Sequence, residues 1–258
     1  MAASRQGKGN AVAKLQNKSH KCLVEIDGTA MLERVLQTLL DSQCFTRILV
    51  SIENAAVVAE LPVIQDWLAQ KKIALVPSAA NLADSLIDLG QDDNQLLPLV
   101  ITTADNALHT PQLIQDFVSG FRQSSSDITV AATTENEVLK DYGDAGIKFF
   151  RFSDGGYSFC NLFGVRSTQG IDAARIFRSG GQFRKRPWRI LKVFGVMSLI
   201  IYKCQLSSFE SFFQRIAGKL RINIEPLLLP YAYGPIDVDN PKTFRLSEET
   251  LKKRRSKK

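Results

Sequence analysis

Helical and strand-like patterns of apolar residues alternate through the first half of the chain. Four segments carry apolar side chains at the spacing of one helix face: 31–40, 61–72, 81–89 and 112–121. Each is followed by a short apolar run typical of a buried strand, at 47–52, 73–76, 97–102 and 128–132. Buried strands that alternate with helices predict a doubly wound α/β fold, in which helices cover both faces of a mostly parallel sheet.

The second half of the chain has a different pattern. Residues 147–152 and 157–165 predict two strands paired around the turn Ser153–Gly156, and 236–238 predicts a strand before a last helix at 242–253. Three segments between these strands predict helices: 171–178, 188–202 and 206–220. We therefore expect a helical insert in the second half of one compact domain.

Composition and charge are those of an ordinary soluble globular protein. Hydrophobic residues make up 45% and charged residues 23% of the 258 positions. Six positive charges lie in residues 252–258, so the rest of the chain accounts for only +1 of the net charge of +7. We expect a single domain over residues 1–251 and a disordered basic tail at 252–258. We expect no nucleic-acid partner, because no aromatic platform or binding motif accompanies this run.

Cysteine, histidine and apolar patterns argue against several other classes. The four cysteines form no Cys-x-x-Cys pair and only two histidines are present, which argues against a zinc site. The N-terminus has no signal-peptide pattern, and the longest apolar stretch, 193–202, is far shorter than the roughly 20 residues of a membrane span. We expect a cytoplasmic protein.

Aspartates accompany apolar runs at two distant places in the chain. Asp105 follows the predicted strand 97–102, whereas Asp237 and Asp239 lie in and just after the predicted strand 236–238. Ligands of open α/β sheets bind at the carboxyl edge of the strands, and carboxylates that meet there can hold Mg²⁺ together with substrate phosphates. The alternative is that each aspartate is a turn residue or a helix cap, which are common uses of Asp.

Several segments, taken in order, resemble one known family. Ala2-Ala-Ser-Arg5 precedes a glycine-containing loop, which is followed by His20-Lys21 and Ile26-Asp-Gly-Thr-Ala-Met-Leu32. The loop alone favours no more than a flexible basic N-terminus, since it is neither a Walker A loop nor Gly-x-Gly-x-x-Gly. Together with Ile101–Pro111 and Ile236–Phe244, these segments resemble the MobA-like nucleotidyltransferases of the nucleoside-diphospho-sugar transferase superfamily.

The resemblance implies a three-layer α/β/α, Rossmann-like fold of the GT-A type and a set of phosphate and metal contacts. Lys21 would neutralise charge that develops between the α-phosphate and the departing pyrophosphate. Asp105 and Asp239 would coordinate Mg²⁺, with Asp237 as the competing candidate for the second ligand. Arg5 would act with Lys21 as a catalytic residue. The loop residues that would hold the nucleotide with Arg5 are Ala3, Ser4, Gly7 and Gly9.

Base and acceptor contacts are implied in the same way. Pro77–Ser85 lies where the family places its base-contacting loop, so Asn81 and Ser85 are the candidate contacts. Asn81 is equally suited to cap the following helix. Asn161 lies where relatives contact the acceptor, and its alternative is a buried Asn that bonds to sheet neighbours.

Residues 183–192 concentrate five positive charges around Trp188. Pro187 suits the first turn of a helix, so the cations would gather at the helix N-terminus, where the helix dipole disfavours positive charge. Because an anion bound there would offset this cost, we expect an anionic partner. The acceptor phosphate, bound by Lys185 and Arg186, is one such partner, and anionic lipid head groups in a weak membrane contact are another. Two ordinary core helices with a solvated basic start are the alternative to both.

The chain departs from the family pattern in three places. No hydrophobic strand precedes Ala2, so we expect unpaired edges on the two strands that would flank it. We also expect either a start further upstream or a truncated, poorly active product. The N-terminal loop has few glycines, and Asn106-Ala107 replaces the common x-Pro after Asp105. These departures bear on triphosphate binding more than on the fold.

The predicted function is transfer of a nucleoside monophosphate from a nucleoside triphosphate to a small phosphorylated acceptor, with Mg²⁺ as cofactor and pyrophosphate as by-product. The acceptor would be a sugar, alcohol or cofactor phosphate. One alternative is a nucleotide-binding protein of this fold that has lost the chemistry, and another is a peripheral membrane-docking protein. Glycosyl transfer on the related GT-A fold would favour Asp-x-Asp where this chain has Asp105-Asn-Ala107.

Overall fold

The computed structural model describes residues 1–2, 10–79, 81–92, 96–144, 146–177 and 200–256, and every structural statement below concerns those residues. The helices are α1 Ala11–Leu15, α2 Met31–Asp41, α3 Pro62–Ala69, α4 Leu82–Asp92, α5 Pro111–Gln123, α6 Glu135–Tyr142, α7 Thr168–Ala173, α8 Phe209–Leu220 and α9 Pro241–Arg255. The strands are β1 Glu25–Ile26, β2 Thr29–Ala30, β3 Leu49–Ile52, β4 Ala74–Pro77, β5 Leu99–Ile101, β6 Ile128–Thr134, β7 Phe150–Phe152, β8 Gly155–Val165 and β9 Ile224–Leu228. Short 3₁₀ helices cover Lys21–Leu23, Ala55–Glu60 and Ala174–Phe177.

The strands form a mixed sheet in which most strands share one direction. Strand β3 pairs in parallel with β4, and β6 pairs in parallel with β9. Strand β8 lies between β5 and β6 and runs antiparallel to both, and it also pairs with β7. Strands β1 and β2 form a separate two-stranded hairpin. Because Ala2 pairs in parallel with both Ser51 of β3 and Thr103 beyond β5, the carboxyl ends of β3, β4, β5 and β6 point the same way.

The first two residues join the β3–β4 pair to the rest of the sheet. Ala2 bridges Ser51 of β3 and Thr103 beyond β5, in parallel with both. The Ala2 N–H donates to Thr102 O at 2.8 Å, and Ala104 N–H donates to Ala2 O at 3.0 Å. On the other side, Ser51 N–H donates to Met1 O at 2.9 Å. We expected unpaired edges on the strands that flank the missing first strand. At the carboxyl ends of these strands, β3 and β5, Met1 and Ala2 bridge the two edges.

Alternating side chains divide the sheet between two helical layers. The core on one face packs α2, α3 and α5 against Val50, Ala131 and Leu162. The other face is covered near β5 by α4 and α7 and near β6 and β8 by α8. Neighbouring residues of β6 enter opposite cores, as Val130 and Ala131 do, so both faces of this strand are apolar. This is the predicted three-layer α/β/α architecture.

Side-chain caps fix the start of the two helices that follow the acidic segments. The Thr110 hydroxyl accepts from Leu113 N–H at 3.3 Å, and Pro111 occupies the first turn of α5. Asn240 and Thr243 form a capping box at the start of α9, which Pro241 again begins. Proline has no N–H to satisfy at this position, so both sequences favour a helix that starts there.

The structure confirms the predicted fold class and corrects several local predictions. Residues 236–238 are not a strand, because Val238 N–H donates to Asp105 O at 3.0 Å instead of entering a sheet ladder. The last strand of the sheet is β9, which our pattern analysis missed. Residues 252–255 were assigned to a disordered tail but form the last turn of α9. The basic segment 183–192 lies outside the described residues.

Among the helices that the structure describes, none combines the length and the apolar character needed to cross a bilayer.

Two glycine substitutions test the packing of the layers. A Cβ added at Gly164 of β8 would lie 2.5 Å from Cδ2 of Phe121 in α5, so Gly164→Ala should destabilise the fold by about 1–3 kcal/mol. Gly218 in α8 has no described atom within 4 Å of an added Cβ beyond its own helix backbone. Gly218→Ala should therefore stabilise the fold by about 0.5–1 kcal/mol. Urea unfolding of both variants measures this, and equal effects would contradict the packing described above.

Candidate active site

The centre of the candidate site is the Lys21 ammonium, which contacts two carboxylates from distant parts of the chain. Lys21 begins the 3₁₀ turn Lys21–Leu23, Asp105 lies in the loop after β5, and Asp239 lies just before α9. Lys21 Nζ is 2.6 Å from Asp105 Oδ2 and also bonds to Asp239 Oδ1. The lysine side chain is 9% exposed, whereas that of Asp239 is 60% exposed. The two ion pairs thus lie at the boundary between the protein interior and the solvent.

A third carboxylate, that of Asp237, joins this cluster. Asp105, Asp237 and Asp239 each offer an oxygen, and these oxygens lie within 4.8 Å of one another. Burial, followed by repulsion from Asp239 and Asp105, raises the pKa of Asp237 to about 6, against the opposing effects of Lys21 and Asn161. Burial acts to lower the pKa of Lys21, but attraction to Asp105 and Asp239 outweighs it and raises that pKa.

The charges and donor atoms of the cluster suit a divalent cation. With all three carboxylates ionised and Lys21 protonated, the four groups carry a formal charge of −2. Oxygen donors of this kind are the preferred ligands of Mg²⁺. The residues present therefore fit a bound Mg²⁺ ion, which Asp105, Asp237 and Asp239 would hold.

Residues that our sequence analysis missed hold Asp105 in place. The Thr103 hydroxyl donates to Asp105 Oδ1 at 2.5 Å. The buried Asn106 amide donates to Thr103 Oγ1 at 2.7 Å, and its oxygen accepts from Asn161 Nδ2 at 3.2 Å. Asn161 Nδ2 also approaches Asp237 Oδ2 at 3.5 Å. Asn106 therefore links Asn161 to Thr103, whose hydroxyl donates to Asp105.

A set of contacts joins the loop after β5 to the loop before α9. Besides the bond from Val238 N–H to Asp105 O, His109 Nε2 lies 2.9 Å from Gly234 O. Arg254 of α9 donates to Leu108 O at 2.8 Å, and its guanidinium lies 4.2 Å from the centre of the Tyr233 ring. These contacts keep Asp105 near Asp237 and Asp239. No sequence motif marks His109 or Arg254, because their partners are distant backbone and ring groups.

A cavity of about 260 Å³ lies beside the cluster. Lys21 and Asp105 form part of its wall. The other polar residues on its wall are Ser51, Ser78, Asn81, Ser85 and Thr103. An opening of this kind next to convergent charged groups is a typical ligand-binding site.

The two predicted base contacts both border this cavity and also shape the loop before α4. Asn81 Oδ1 accepts from Asp84 N–H at 2.9 Å, which is the capping role that we considered as its alternative. The Ser85 hydroxyl accepts from Ala79 N–H at 2.8 Å and donates to Asn81 O at 3.1 Å. A base contact remains a prediction for both residues.

The remaining predicted contacts fall outside the described residues. These are Ala3, Ser4, Arg5, Gly7, Gly9, Lys185 and Arg186. Ala2 and Asn10, which flank residues 3–9, are among the described residues. Ala2 lies on the cavity wall, and the Asn10 side chain caps α1 by accepting from Val12 and Ala13 N–H groups.

Comparison with known proteins identifies the family. The family model for the MobA-like NTP transferase domain matches residues 9–235. The chain belongs to this family. No curated protein sequence matches it. Lys21 and Asp105 of the cluster lie within the matched residues, whereas Asp237 and Asp239 lie just beyond them.

Solved structures share the fold at low sequence identity. A hypothetical transferase from Thermus thermophilus has a TM-score of 0.73 at 20% identity, with 94% of this chain and 98% of that chain covered. A CMP:2-keto-3-deoxy-manno-octonic acid synthetase in complex with CTP has a TM-score of 0.62 at 11% identity, covering 98% and 97%. The 4-diphosphocytidyl-2C-methyl-D-erythritol synthase of Anaerococcus prevotii has a TM-score of 0.56 at 11% identity, covering 97% and 93%.

Protonation of His109 should oppose folding. Burial, aided by Arg254, lowers its pKa to about 4, against the raising effects of Gly234 O and Asp105. Between pH 4 and 6.5 the unfolded chain, in which His109 has its ordinary pKa of 6.5, binds more protons than the folded chain. The stability that comes from a neutral His109 is therefore fully present above pH 6.5 and is lost as the pH falls towards 4. The free energy of unfolding of the wild type, relative to His109→Gln, should drop by up to about 3 kcal/mol across this range.

Urea unfolding at several pH values measures the difference, and an NMR titration of the imidazole measures the pKa directly. The variant serves as the matched reference because all other titrating groups are shared. A His109 pKa of 6 or above in the folded protein would contradict the expectation.

Proposed function

We propose that the chain transfers a nucleoside monophosphate from a nucleoside triphosphate to a small phosphorylated acceptor. An oxygen of the acceptor phosphate attacks the α-phosphorus, the bond from that phosphorus to the β-phosphate oxygen breaks, and pyrophosphate leaves. The observation that supports this most is the Lys21 ammonium between Asp105 and Asp239 at the edge of a cavity, in a MobA-like NTP transferase domain.

Lys21 supplies positive charge where the reaction spreads negative charge. Lys21 lies on the wall of the cavity, so a triphosphate bound there would be near a cation on a flexible stem. Stabilising charge at the α-phosphate and the departing pyrophosphate is the main way in which proteins accelerate phosphate transfer. A phosphate nucleophile is anionic at neutral pH, so no side chain has to act as a general base.

Asp105, Asp237 and Asp239 are the proposed ligands of Mg²⁺. When bound, this ion supplies positive charge that the triphosphate and the carboxylates share. The protein's own contribution is to hold the three carboxylates together, through Thr103, Asn106 and the contacts between the two loops. Among the described contacts, the Lys21 ammonium offsets their mutual repulsion, together with the hydrogen bonds that Thr103 and Asn161 donate to Asp105 and Asp237.

The remaining substrate contacts are proposed from the family resemblance. The nucleotide would be held by the loop at 3–9, with Asn81 and Ser85 near the base. Asn161 would contact the acceptor, because its amide lies between Asn106 and Asp237. Lys185 and Arg186 would bind the acceptor phosphate. A sugar, alcohol or cofactor phosphate fits this proposal equally.

We further propose that the chain through the end of α9 at Arg255 works as one domain in the cytoplasm, where nucleoside triphosphates are available. A nucleotide-binding protein of this fold without turnover, and a protein that docks to anionic membranes, are the other outcomes that experiment can return. No described contact favours either of them.

Thermal unfolding with each nucleoside triphosphate, with and without Mg²⁺, tests the proposal. A nucleotide at 100 times its dissociation constant should add about 2.7 kcal/mol of stability. The stabilisation should require Mg²⁺ and should be largest with one base. The two cytidine-related structural neighbours make CTP the first nucleotide to test.

Asp105→Asn should remove the Mg²⁺-dependent part of this stabilisation and lower turnover by on the order of 100-fold or more, measured as pyrophosphate release with the acceptor that supports it. Asp172→Asn is the matched control, since that carboxylate is exposed on α7 and pairs with Arg175. Full turnover in Asp105→Asn would refute the assigned role. Nucleotide binding without pyrophosphate release would favour the binding protein, and no binding at all would remove the proposal.

A further inference from the structure

We propose that Lys21 competes with the divalent cation for the carboxylates of Asp105 and Asp239. When the nucleotide binds, the Lys21 ammonium leaves these carboxylates and bonds to the phosphates of the nucleotide instead. The divalent cation and the nucleoside triphosphate then bind cooperatively. The first ligand to bind separates Lys21 from the carboxylates, so binding of the second ligand does not include that cost. This inference rests on the proposed function, of which it describes the regulation.

The competition follows from the ion pairs. Lys21 Nζ lies 2.6 Å from Asp105 Oδ2 and bonds to Asp239 Oδ1 as well. These two residues supply two of the three carboxylates within 4.8 Å that would hold the ion. A divalent cation bound to the same oxygens would lie close to the ammonium, and like charges at such a distance repel. The ammonium therefore has to move before the ion gains its full set of ligands.

The exchange follows from the position of Lys21 on the cavity wall. Lys21 and Asp105 border the same cavity, so an anion bound there lies near both groups. A lysine has a flexible stem of four carbons and three donors that turn freely, which lets it change partners without a backbone movement. Phosphate oxygens offer the ammonium new acceptors, and its departure leaves Asp105 and Asp239 with uncompensated charge. That charge attracts the cation.

Thermodynamic linkage makes the effect reciprocal. If nucleotide binding draws Lys21 away and strengthens cation binding, then the cation must strengthen nucleotide binding by the same factor. A lysine that contacted the phosphates alone would weaken cation binding in the absence of nucleotide only through longer-range, screened repulsion. This difference separates the proposal from the general role of Lys21 given above.

Binding of Mn²⁺ alone, followed by electron paramagnetic resonance or calorimetry, tests the competition without turnover. Lys21→Met should bind Mn²⁺ about tenfold or more tightly than the wild type, within the usual range of such couplings. Lys21→Arg keeps the cation and should stay near the wild type. Lys18→Met is the matched control for lost charge, because Lys18 pairs with Glu25 at 3.3 Å instead of with the cluster. It should leave Mn²⁺ affinity unchanged.

Removal of Lys21 leaves three carboxylates without their described cation, so stability is measured in parallel. Lys21→Met should melt below the wild type and should gain more from Mn²⁺ than the wild type does. Lys21→Gln, which removes the charge but keeps a hydrogen-bond donor on the side chain, provides a second variant with the same expected direction. A non-hydrolysable nucleoside triphosphate should then raise Mn²⁺ affinity by a smaller factor in either variant than in the wild type.

The outcomes separate this inference from the proposed function. If Mn²⁺ binds the wild type as tightly as it binds folded Lys21→Met and Lys21→Gln, the competition is refuted while the metal site stands. If neither the wild type nor the variants bind Mn²⁺, and no nucleotide promotes binding, both the competition and the metal site are refuted. Tighter binding in both variants, with Lys18→Met unchanged, supports the proposal.

Discussion

The contact of the Lys21 ammonium with Asp105 and Asp239 is the interaction on which the arrangement of the site depends. It joins residues separated by 84 and 218 positions in the chain. A buried lysine needs opposite charge, and clustered carboxylates need a cation, so each partner makes the other tolerable. The loops that carry them are therefore held together by charge as well as by backbone bonds.

The sheet brings these loops to one edge. Strand β5 ends at Ile101, and the chain turns at Thr103 to Asn106 before α5 begins. The segment that carries Asp237 and Asp239 contributes no strand, but its Val238 N–H bonds to Asp105 O, and the Val238 side chain is fully buried. The acidic residues thus converge through a loop-to-loop bond and not through two neighbouring strand ends. The capping box at Asn240 then starts α9, whose Arg254 returns to Leu108 and Tyr233.

Local sequence patterns predicted much of the architecture and left specific parts unpredicted. The apolar pattern located α2 to α5 and the strands between them, since helices and buried strands have distinct periods. It failed at 236–238, where alternating apolar residues are buried in a loop, and at β9, where Pro226 interrupts a strand pattern. Motif order placed Lys21, Asp105, Asp237 and Asp239 in one candidate site. The supporting roles of Thr103, Asn106 and His109 were not predicted, because their hydrogen-bond partners are known only once the chain is folded.

The layered α/β architecture, the family resemblance and the residue types of the site all follow from the amino-acid sequence alone. These depend on periodicity and motif order, which can be read along the chain. The folded structure was needed to show that Lys21 binds the carboxylates, that Asp105 and Asp237 are partly buried while Asp239 is exposed, and that Asn106 connects Thr103 to Asn161. The reason is physical. Burial and electrostatic attraction depend on distances between groups that are far apart in sequence, and no local pattern encodes those distances.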